Sequence, residues 1–277
     1  MKVLVLGASG LIGNGIKRVL EKKTSYEVIG TYCKNKIFEN KLNYYNFDLL
    51  KNDDIYEFIK LQSPHIIINT LGITKHLSVN FTNDDHFKVN TIFPEKILKL
   101  SSKIKSILIH ISTDCVFDGT QGNYYETSKP DAEDIYGISK AKSEVISEDC
   151  IVLRTSTVGR EINTSYGLLE WFLKQDKICK GFKNAYFSGI TNIELGKIIL
   201  EYILPERNIK GMFNIGSNKI NKYDILKKFS KYYDKNINII EDYDFKIDRS
   251  LNNSKFNNLF SYENESWENM LKDIENY

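Results

Sequence analysis

The segment GASGLIG, from Gly7 to Gly13, decides the fold because it joins an apolar run to a helical pattern. The run before it, Val3 to Leu6, has the aliphatic composition of a buried strand. Glycine permits a tight turn after such a strand, close approach of the backbone to a pyrophosphate, and dense packing of helix on strand. Free N–H groups at the helix N-terminus then face the phosphates. The candidate cofactor-binding residues of this turn are Gly7, Ser9, Gly10, Leu11 and Ile12.

Short apolar runs alternate with helical patterns along the first part of the chain. Runs that do not alternate in polarity, separated by helices, indicate a parallel sheet covered on both faces. Right-handed crossovers then predict a doubly wound α/β sheet, a Rossmann fold, with its site at the carboxyl ends of the strands. The predicted strands are Lys2–Gly7, Glu27–Tyr32, Tyr44–Asp48, His65–Leu71, Ser106–Thr113 and Ile151–Ser156. The predicted helices are Leu11–Lys22, Asp53–Gln62, Phe87–Lys103 and Ile135–Ser147.

The pattern changes after about Gly159, which predicts two parts. Residues 1–158 form the nucleotide-binding domain in this prediction. Residues 159–277 form mainly a smaller substrate-binding lobe, with parts of 186–216 returning to the main sheet. Its expected elements are a helix at Tyr166–Lys174, a glycine-punctuated stretch at Lys180–Thr191, a helix at Asn192–Leu204, a strand at Gly211–Ile215, a helix at Tyr223–Tyr233 and an Asn-rich tail.

Composition excludes several classes of protein. The 277 residues carry 38 basic and 36 acidic side chains, a net charge of +2, which is too balanced to indicate a nucleic-acid or membrane-surface partner. The four cysteines are scattered without a CxxC pair or a histidine cluster, so we expect no metal, no disulfide frame and a reducing, cytoplasmic location. Apolar runs fall short of the roughly 20 residues that span a bilayer.

A second motif, YGISK, places Tyr136 and Lys140 four residues apart on one helix face. With Thr113 at the end of a predicted strand, these side chains suit carbonyl reduction. We expect Tyr136 to donate the proton, Thr113 to orient the carbonyl oxygen, and Lys140 to hold the cofactor ribose. The Lys140 charge, together with a bound nicotinamide, is also expected to lower the pKa of Tyr136 from about 10 toward about 7. Alternatively, Tyr136 and Lys140 are residues of an amphipathic helix without a catalytic role.

The choice of cofactor depends on the end of the second strand. Domains that prefer NAD usually place a carboxylate there for the ribose hydroxyls. Here the segment from Thr31 to Lys36 has no carboxylate, but it has Lys34 and Lys36, which favour the extra phosphate of NADPH. If these lysines are only solvated surface charges, NADH remains possible. Asp48 and Leu49 follow the third strand, where they could bracket the adenine, and Gly72 follows the fourth.

These motifs together resemble a known family. GxxGxxG, STDCVFDG, the downstream YxxxK and LRTS at Leu153–Ser156 are similar to the extended short-chain dehydrogenases/reductases, specifically the dTDP-4-dehydrorhamnose reductase family. The resemblance includes Asn90, at a family position that supports the active site and is assigned here to the cofactor site. Five further segments resemble a branch that reduces UDP-2-acetamido-2,6-dideoxy-hexos-4-uloses for surface polysaccharides. They are GRE at Gly159–Glu161, GLLEWFL at Gly167–Leu173, FSGIT at Phe187–Thr191, NKYD at Asn221–Asp224 and DRSL at Asp248–Leu251.

The run Thr113-Asp114-Cys115 departs from two related patterns. Sugar-nucleotide 4,6-dehydratases resemble this fold but carry Thr-Asp-Glu, so the second carboxylate needed for eliminating water is missing here. The reductases more often have Tyr at the position of Cys115, so this departure counts against a dTDP-sugar substrate. Without a neighbouring histidine in sequence, Cys115 is interpreted as a packed small residue rather than a nucleophile.

A nucleotide-sugar substrate requires groups for its diphosphate and its sugar. Guanidinium groups bind diphosphates, so Arg160 and Arg249 are the candidates in the second lobe. Lys75, His76 and Asp114 are the candidates near the sugar, although a lone histidine is more often a surface or packed residue. Arg154 lies inside a strand and is interpreted as a structural residue.

The sequence therefore predicts an NADPH-dependent reductase of a nucleotide-activated 4-keto-6-deoxy-hexose, for which a homodimer is a possible assembly. The nearest rival is an epimerase of the same fold, which would retain its cofactor. A rival of another class is a non-catalytic regulator, because the regulatory subunit of methionine adenosyltransferase is similar to the same reductases.

Overall fold

The computed structural model describes residues 1–33, 36–51, 54–162, 164–206 and 208–277, with the side chain of Glu148 excepted. In chain order its strands are β1 (Lys2–Leu6), β2 (Glu27–Tyr32), β3 (Tyr44–Asn46), β4 (Ile66–Asn69), β5 (Ile107–Thr113), β6 (Ile151–Thr155), β7 (Thr157–Val158), β8 (Ile178–Phe187), β9 (Ile190–Thr191), β10 (Gly211–Asn214), β11 (Ile220–Asn221) and β12 (Asn238–Asp248). The α-helices are α1 (Leu11–Lys23), α2 (Ile55–Gln62), α3 (Asn83–Phe87), α4 (Phe93–Ile104), α5 (Ile135–Ser143), α6 (Leu168–Lys174), α7 (Asn192–Ile198), α8 (Lys222–Tyr232), α9 (Ser254–Phe260) and α10 (Trp267–Asn276).

The main sheet confirms the predicted doubly wound fold. Among the described residues, seven strands pair in parallel in the order β10-β6-β5-β4-β1-β2-β3. The chain leaves β1 for β2 and β3 on one side and returns to β4 on the other. The carboxyl end of β1 is therefore the topological switch point, where ligands of such sheets bind.

Helices cover both faces of this sheet, as the apolar strands require. In β1, Val3 and Val5 pack into one buried cluster, whereas Leu4 and Leu6 pack into the cluster on the opposite face. Successive strand residues point to opposite faces. Because both sets are apolar, the strand shows a continuous hydrophobic run instead of an alternating one.

The predicted helix Phe87–Lys103 is divided in the structure. After α3, the residues Lys88–Ile92 form a π-helical turn, and α4 begins at Phe93 with Pro94 in its first turn. Asn90 is buried within this turn, and its Oδ1 accepts from the Ile73 N–H at 2.8 Å. Such π-turns occur frequently at functional sites, and periodicity alone did not predict this one.

The second half of the chain has more regular structure than we predicted. The glycine-punctuated stretch is largely the strand β8, which lies between β11 and β12 in a three-stranded sheet. The Asn-rich tail contains β12, α9 and α10, and α10 buries Trp267, Met270, Leu271 and Ile274 at helical spacing. β10 returns to the edge of the main sheet, while the boundary at residue 158 stays a prediction.

Candidate active site

The phosphate-binding turn lies at the switch point. Gly7 has φ +84°, a conformation that favours glycine, and its carbonyl accepts from the Gly10 N–H at 2.9 Å. A Cβ on Gly13 would lie 2.3 Å from the Gly7 oxygen, so helix and turn can approach this closely only because residue 13 is glycine. Gly10 caps α1 without a side-chain hydrogen bond, which leaves the first N–H groups for an anion. These residues fit a dinucleotide pyrophosphate, and Ser9, Leu11 and Ile12 border the same turn.

The expected adenosine end of the site is only partly described. Lys34 lies outside the described residues, and Lys36 is exposed at the start of a short 3-10 turn, Lys36–Phe38. Asp48 accepts from the Leu50 N–H at 3.2 Å and lies 3.8 Å from the Lys51 ammonium. Leu49 packs against one apolar cluster of the sheet. Contacts of Asp48 and Leu49 with adenine stay a prediction.

Asn90 connects the loop after β4 to the helix that carries YGISK. Its Nδ2 donates to the Ile73 carbonyl at 3.0 Å and to the Ser139 hydroxyl at 3.0 Å. A Cβ on Gly72 would lie 3.3 Å from Asn90 Oδ1, so the loop passes close to this amide. Asn90 therefore supports the site from behind, and its direct contact with cofactor remains a prediction.

Tyr136 lies in the first turn of α5, directly against the loop after β5. Asp134 caps this helix by accepting from the Gly137 N–H at 2.9 Å. A Cβ on Gly137 would lie 2.4 Å from the Cys115 carbonyl, so the helix contacts the loop through backbone. The hydroxyl of Thr113 lies beside the Tyr136 phenol and, as a hydrogen-bond partner, lowers its pKa. The structure thus brings Thr113 and Tyr136 together.

The lowered pKa expected for Tyr136 beside Lys140 and a bound nicotinamide stays a prediction, and in the protein alone the pKa shifts in the opposite direction. Burial raises the pKa of the phenol well above its usual value, and the neighbouring Cys115 and Asp114 raise it further. The Lys140 ammonium does not offset this rise, and its Nζ donates to the Ile111 carbonyl at 2.7 Å. Burial lowers the pKa of Lys140 to about 8, against the charge of Glu144, which raises it. Tyr136 therefore keeps its proton at neutral pH, which suits a proton donor.

Two cations from the second half of the chain lie close to Asp114. Burial raises the pKa of this carboxyl, and the charges of Lys222 and Arg249 act against that rise. Arg249 is fixed by its Nε, which donates to the Phe117 carbonyl at 2.8 Å, and its Nη1 lies 3.6 Å from Cys115 Sγ. The predicted substrate residues Asp114 and Arg249 thus lie together.

Lys222 is the residue of this group that sequence reasoning missed. It opens α8, and its Nζ lies 3.6 Å from the centroid of the Phe187 ring. Burial lowers the pKa of Lys222 to about 8, while Asp114 raises it. The only sequence indication was the motif NKYD, which we treated as a family feature without assigning a role to its lysine.

Cys115 behaves as a packed thiol. Burial, reinforced by Asp114, raises its pKa to about 12, so the thiolate that a nucleophile needs is not formed near neutral pH. In the described residues, no group of histidine, cysteine and carboxylate side chains could hold a metal ion. Nor does any described helix combine the length and apolarity needed to cross a membrane.

The remaining candidate substrate-binding residues contact other side chains of the same chain. Lys75 Nζ donates to Asp134 at 2.9 Å, at the N-terminus of α5. His76 stacks on Tyr166 with ring centroids 6.2 Å apart. Arg160 pairs with Glu170 and with Glu275, on α6 and α10. Lys75 is therefore near the catalytic helix, whereas the contacts of Arg160 support a structural role, and its binding of diphosphate stays an unsupported prediction.

The fold and this site define a class. A doubly wound sheet with a glycine turn at its switch point, and a YxxxK helix packed on an STD strand end, is the arrangement of an extended short-chain dehydrogenase/reductase. A family model described as the RmlD substrate binding domain matches residues 1–174. The chain belongs to this family, whose members include dTDP-4-dehydrorhamnose reductases, nicotinamide-dependent oxidoreductases of sugar nucleotides.

Curated relatives include both a reductase and a regulatory subunit. The chain is 27% identical over 170 residues to dTDP-4-dehydrorhamnose reductase of Aggregatibacter actinomycetemcomitans, covering 60% of this chain and 54% of that protein. It is 29% identical over 246 residues to methionine adenosyltransferase 2 subunit beta of Xenopus tropicalis, covering 81% and 70%. The match thus spans about half the length of the first relative.

Solved structures agree with the fold over the whole chain. A hypothetical dTDP-4-dehydrorhamnose reductase from Sulfolobus tokodaii has a TM-score of 0.82 at 26% identity and covers 96% of this chain and 97% of its own. The Bacillus anthracis dTDP-4-dehydrorhamnose reductase in complex with NADP has a TM-score of 0.81 at 20% identity, covering 99% and 98%. At that identity the second likeness shows the fold alone.

Proposed function

We propose that this chain is an NADPH-dependent reductase of a nucleotide-activated 4-keto-6-deoxy-hexose. The observation that supports this most is the contact of the Thr113 hydroxyl with the phenol of Tyr136, on the helix that also carries Lys140. A reductase needs a proton donor beside the substrate carbonyl, and a phenol of raised pKa is protonated throughout the neutral range.

In this reaction the nicotinamide supplies a hydride to the carbonyl carbon when it is bound. Tyr136 gives its proton to the carbonyl oxygen, and the hydroxyl of Thr113 orients that oxygen by hydrogen bonding. The product is the alcohol, and the phenolate regains a proton from solvent. Lys140, whose ammonium and amine forms are both populated near pH 8, is suited to hold the ribose and to stabilise the phenolate after transfer.

NADPH is the proposed cofactor, with NADH as the alternative. The segment Thr31–Lys36 lacks the carboxylate that binds the ribose hydroxyls of NAD. The Bacillus anthracis relative was solved with NADP, which is consistent with this choice. The described part of the chain ends its second strand at Tyr32, and Lys36 follows at the surface.

A sugar nucleotide suits the charges around Asp114. Arg249 and Lys222 supply positive charge for a diphosphate, and Asp114 supplies an acceptor for sugar hydroxyl groups. The motifs FSGIT, NKYD and DRSL, which provide Phe187, Lys222 and Arg249, are those that resemble the UDP-2-acetamido branch. We therefore place a UDP-sugar before a dTDP-sugar, and a role in surface polysaccharide precursors follows from that resemblance.

A regulatory role is the second candidate, favoured by the long match to the beta subunit of methionine adenosyltransferase. In this alternative the chain would bind a catalytic partner and turn over no sugar. An epimerase is the enzymatic alternative, since it would change the substrate without net oxidation of cofactor.

The test is turnover of purified protein with NADPH and a panel of UDP- and dTDP-4-keto-6-deoxy-sugars, followed by nicotinamide absorbance. We expect stoichiometric oxidation of NADPH with at least one sugar, and none with the Tyr136→Phe variant. Conversion of sugar without loss of NADPH would indicate an epimerase. If NADPH binds but no sugar reacts, and methionine adenosyltransferase activity responds to added protein, the regulatory role replaces our proposal.

A further inference from the structure

His110 is a buried imidazole next to Lys140 to which the proposed reaction gives no role. It lies on β5 and is fully enclosed. Its Nδ1 lies 3.1 Å from Asn69 Nδ2, and its Nε2 lies 3.1 Å from Ser143 Oγ and 3.3 Å from Lys140 Nζ. One imidazole thus connects β4, β5 and the catalytic helix behind the active site.

The hydrogen bonds of Asn69 decide which ring nitrogen carries the proton. Asn69 Oδ1 accepts from the Leu71 N–H at 3.1 Å, so its amide nitrogen faces the ring. That nitrogen is a donor, and His110 Nδ1 must therefore accept. The imidazole is neutral, since burial and then the charge of Lys140 hold its pKa well below the usual value. A neutral ring that accepts at Nδ1 carries its proton on Nε2.

Ser143 is consistent with this tautomer. Its hydroxyl donates to the Lys140 carbonyl at 2.7 Å, which leaves its oxygen to accept from the Nε2–H of His110. The bonds from Asn69 through His110 and Ser143 to that carbonyl therefore run in one direction, with every proton assigned.

The orientation of His110 has a consequence for Lys140. An ammonium at 3.3 Å cannot donate to a nitrogen that already carries a proton, whereas a neutral amine can accept a share of the Nε2–H that also faces Ser143 Oγ. The ammonium form of Lys140 therefore donates to the Ile111 carbonyl and finds no acceptor on His110. The charge of Glu144 raises the pKa of Lys140, and this carboxylate forms an ion pair with Arg154 at 2.7 Å. Tyr136 lies one turn earlier on α5.

We propose that His110 is a positioning residue that sets the protonation state of Lys140: held as the Nε2–H tautomer by Asn69, its imidazole favours the neutral amine of Lys140 over the ammonium. The inference deepens the proposed function and rests on it, because Lys140 belongs to that active site. It also predicts a property of the protein itself, which can be measured without a substrate.

The first experiment observes the tautomer directly. The chain has only four histidines, so ¹⁵N-histidine labelling and long-range ¹H–¹⁵N correlation spectra can resolve each ring. Assignment uses the His110→Gln spectrum or, if that variant does not fold, loss of the other three signals in single variants. We expect His110 to stay neutral with the proton on Nε2 from about pH 6 to 9, since burial excludes the charged form. A proton on Nδ1, or titration within that range, overturns the proposal.

The second experiment reverses the tautomer with a nearly isosteric change. In Asn69→Asp the carboxylate can accept from Nδ1–H while still accepting from the Leu71 N–H, so Nε2 becomes an acceptor for the Lys140 ammonium. NADPH affinity, measured by fluorescence against pH, should weaken above about pH 8 in the parent. The pH above which NADPH affinity weakens should rise by about one unit in Asn69→Asp. If this pH is unchanged, the proposal is overturned.

A matched control separates hydrogen bonding from the new negative charge. Asn69→Asp combined with His110→Phe keeps the carboxylate and removes the imidazole, and it is compared with His110→Phe alone. If His110 acts as proposed, Asn69→Asp hardly changes the pH dependence of NADPH affinity when His110 is already replaced by phenylalanine. An equal shift in both backgrounds means that charge alone acts, and the proposal fails. Absence of sugar turnover would refute the proposed function but leave both readouts intact.

Discussion

Arg154 and Glu144 form a buried two-pronged ion pair behind the catalytic strand end. Arg154 Nε and Nη2 donate to the two carboxylate oxygens at 2.9 and 2.7 Å, and both side chains are almost completely buried. The Ser112 hydroxyl also donates to Glu144 at 2.7 Å. The pair therefore connects β5, β6 and the end of the catalytic helix, in agreement with the interpretation of Arg154 as a structural residue.

Removal of one partner should destabilise the protein strongly. In Glu144→Ala the Arg154 guanidinium stays buried without its carboxylate, so we expect the free energy of unfolding to fall by about 3–5 kcal/mol. Denaturant titration measures this change. The matched control is Glu57→Ala, which breaks the exposed pair with Lys60 and should cost at most about 1 kcal/mol. Equal effects of both variants would contradict the prediction.

Replacement of Tyr136 by phenylalanine should remove catalysis and leave binding. Only the phenolic oxygen is lost, so the half-buried ring keeps its packing at the start of α5. General acid catalysis contributes about 100- to 10,000-fold, and turnover should fall by that factor while the Kd of NADPH changes little. Tyr125→Phe, at an exposed tyrosine, is the control. A Tyr136→Phe enzyme with nearly full turnover would show that another group donates the proton.

The cofactor preference should depend on lysine after the second strand. One charge-assisted contact with the 2′-phosphate corresponds to about 1.5–3 kcal/mol, or roughly 10- to 150-fold in catalytic efficiency. We expect Lys36→Ala or Lys34→Ala to reduce the NADPH preference, and NADH efficiency should stay constant as an internal control. Equal efficiency of the parent with both cofactors would mean that these lysines are only solvated.

The buried ammonium of Lys222 should make stability depend on pH. Its pKa is about 8 in the folded protein, against an ordinary value of 10.5. Between these values the unfolded chain binds more protons, so this group makes unfolding less favourable as pH rises. We expect the parent to gain free energy of unfolding relative to Lys222→Met from about pH 8 to 10.5. Comparing the two cancels the titration of groups that do not interact with Lys222, and parallel curves would contradict the prediction.

The sequence was sufficient for the first half of the fold because its strands are continuous apolar runs. The same feature concealed His110, which looked like one more residue of the run before Thr113. The second half was harder, since β8 and β12 expose many polar residues and resemble irregular segments. Lys222 and Arg249 reach Asp114 only through the packing of that half on the main sheet, which no local pattern contains.

Arg249 offers the clearest test of the substrate site. Its Nε donates to the Phe117 carbonyl, which holds the guanidinium beside Cys115, and its charge acts on Asp114. Lysine at this position would keep the charge but lose the two-pronged geometry. We expect Arg249→Lys to raise the KM for the sugar nucleotide by an amount equivalent to about 1–3 kcal/mol, with NADPH affinity unchanged.

The competing explanation is a structural role, because the bond to Phe117 joins the end of β12 to the loop after β5. Thermal unfolding separates the two, since a diphosphate ligand can be weakened without loss of stability. Lys219→Ala is the matched control, because it breaks the neighbouring ion pair with Asp248 and should leave the KM unchanged. If Arg249→Lys melts well below the parent and loses cofactor and sugar binding together, Arg249 supports the fold and does not bind the diphosphate.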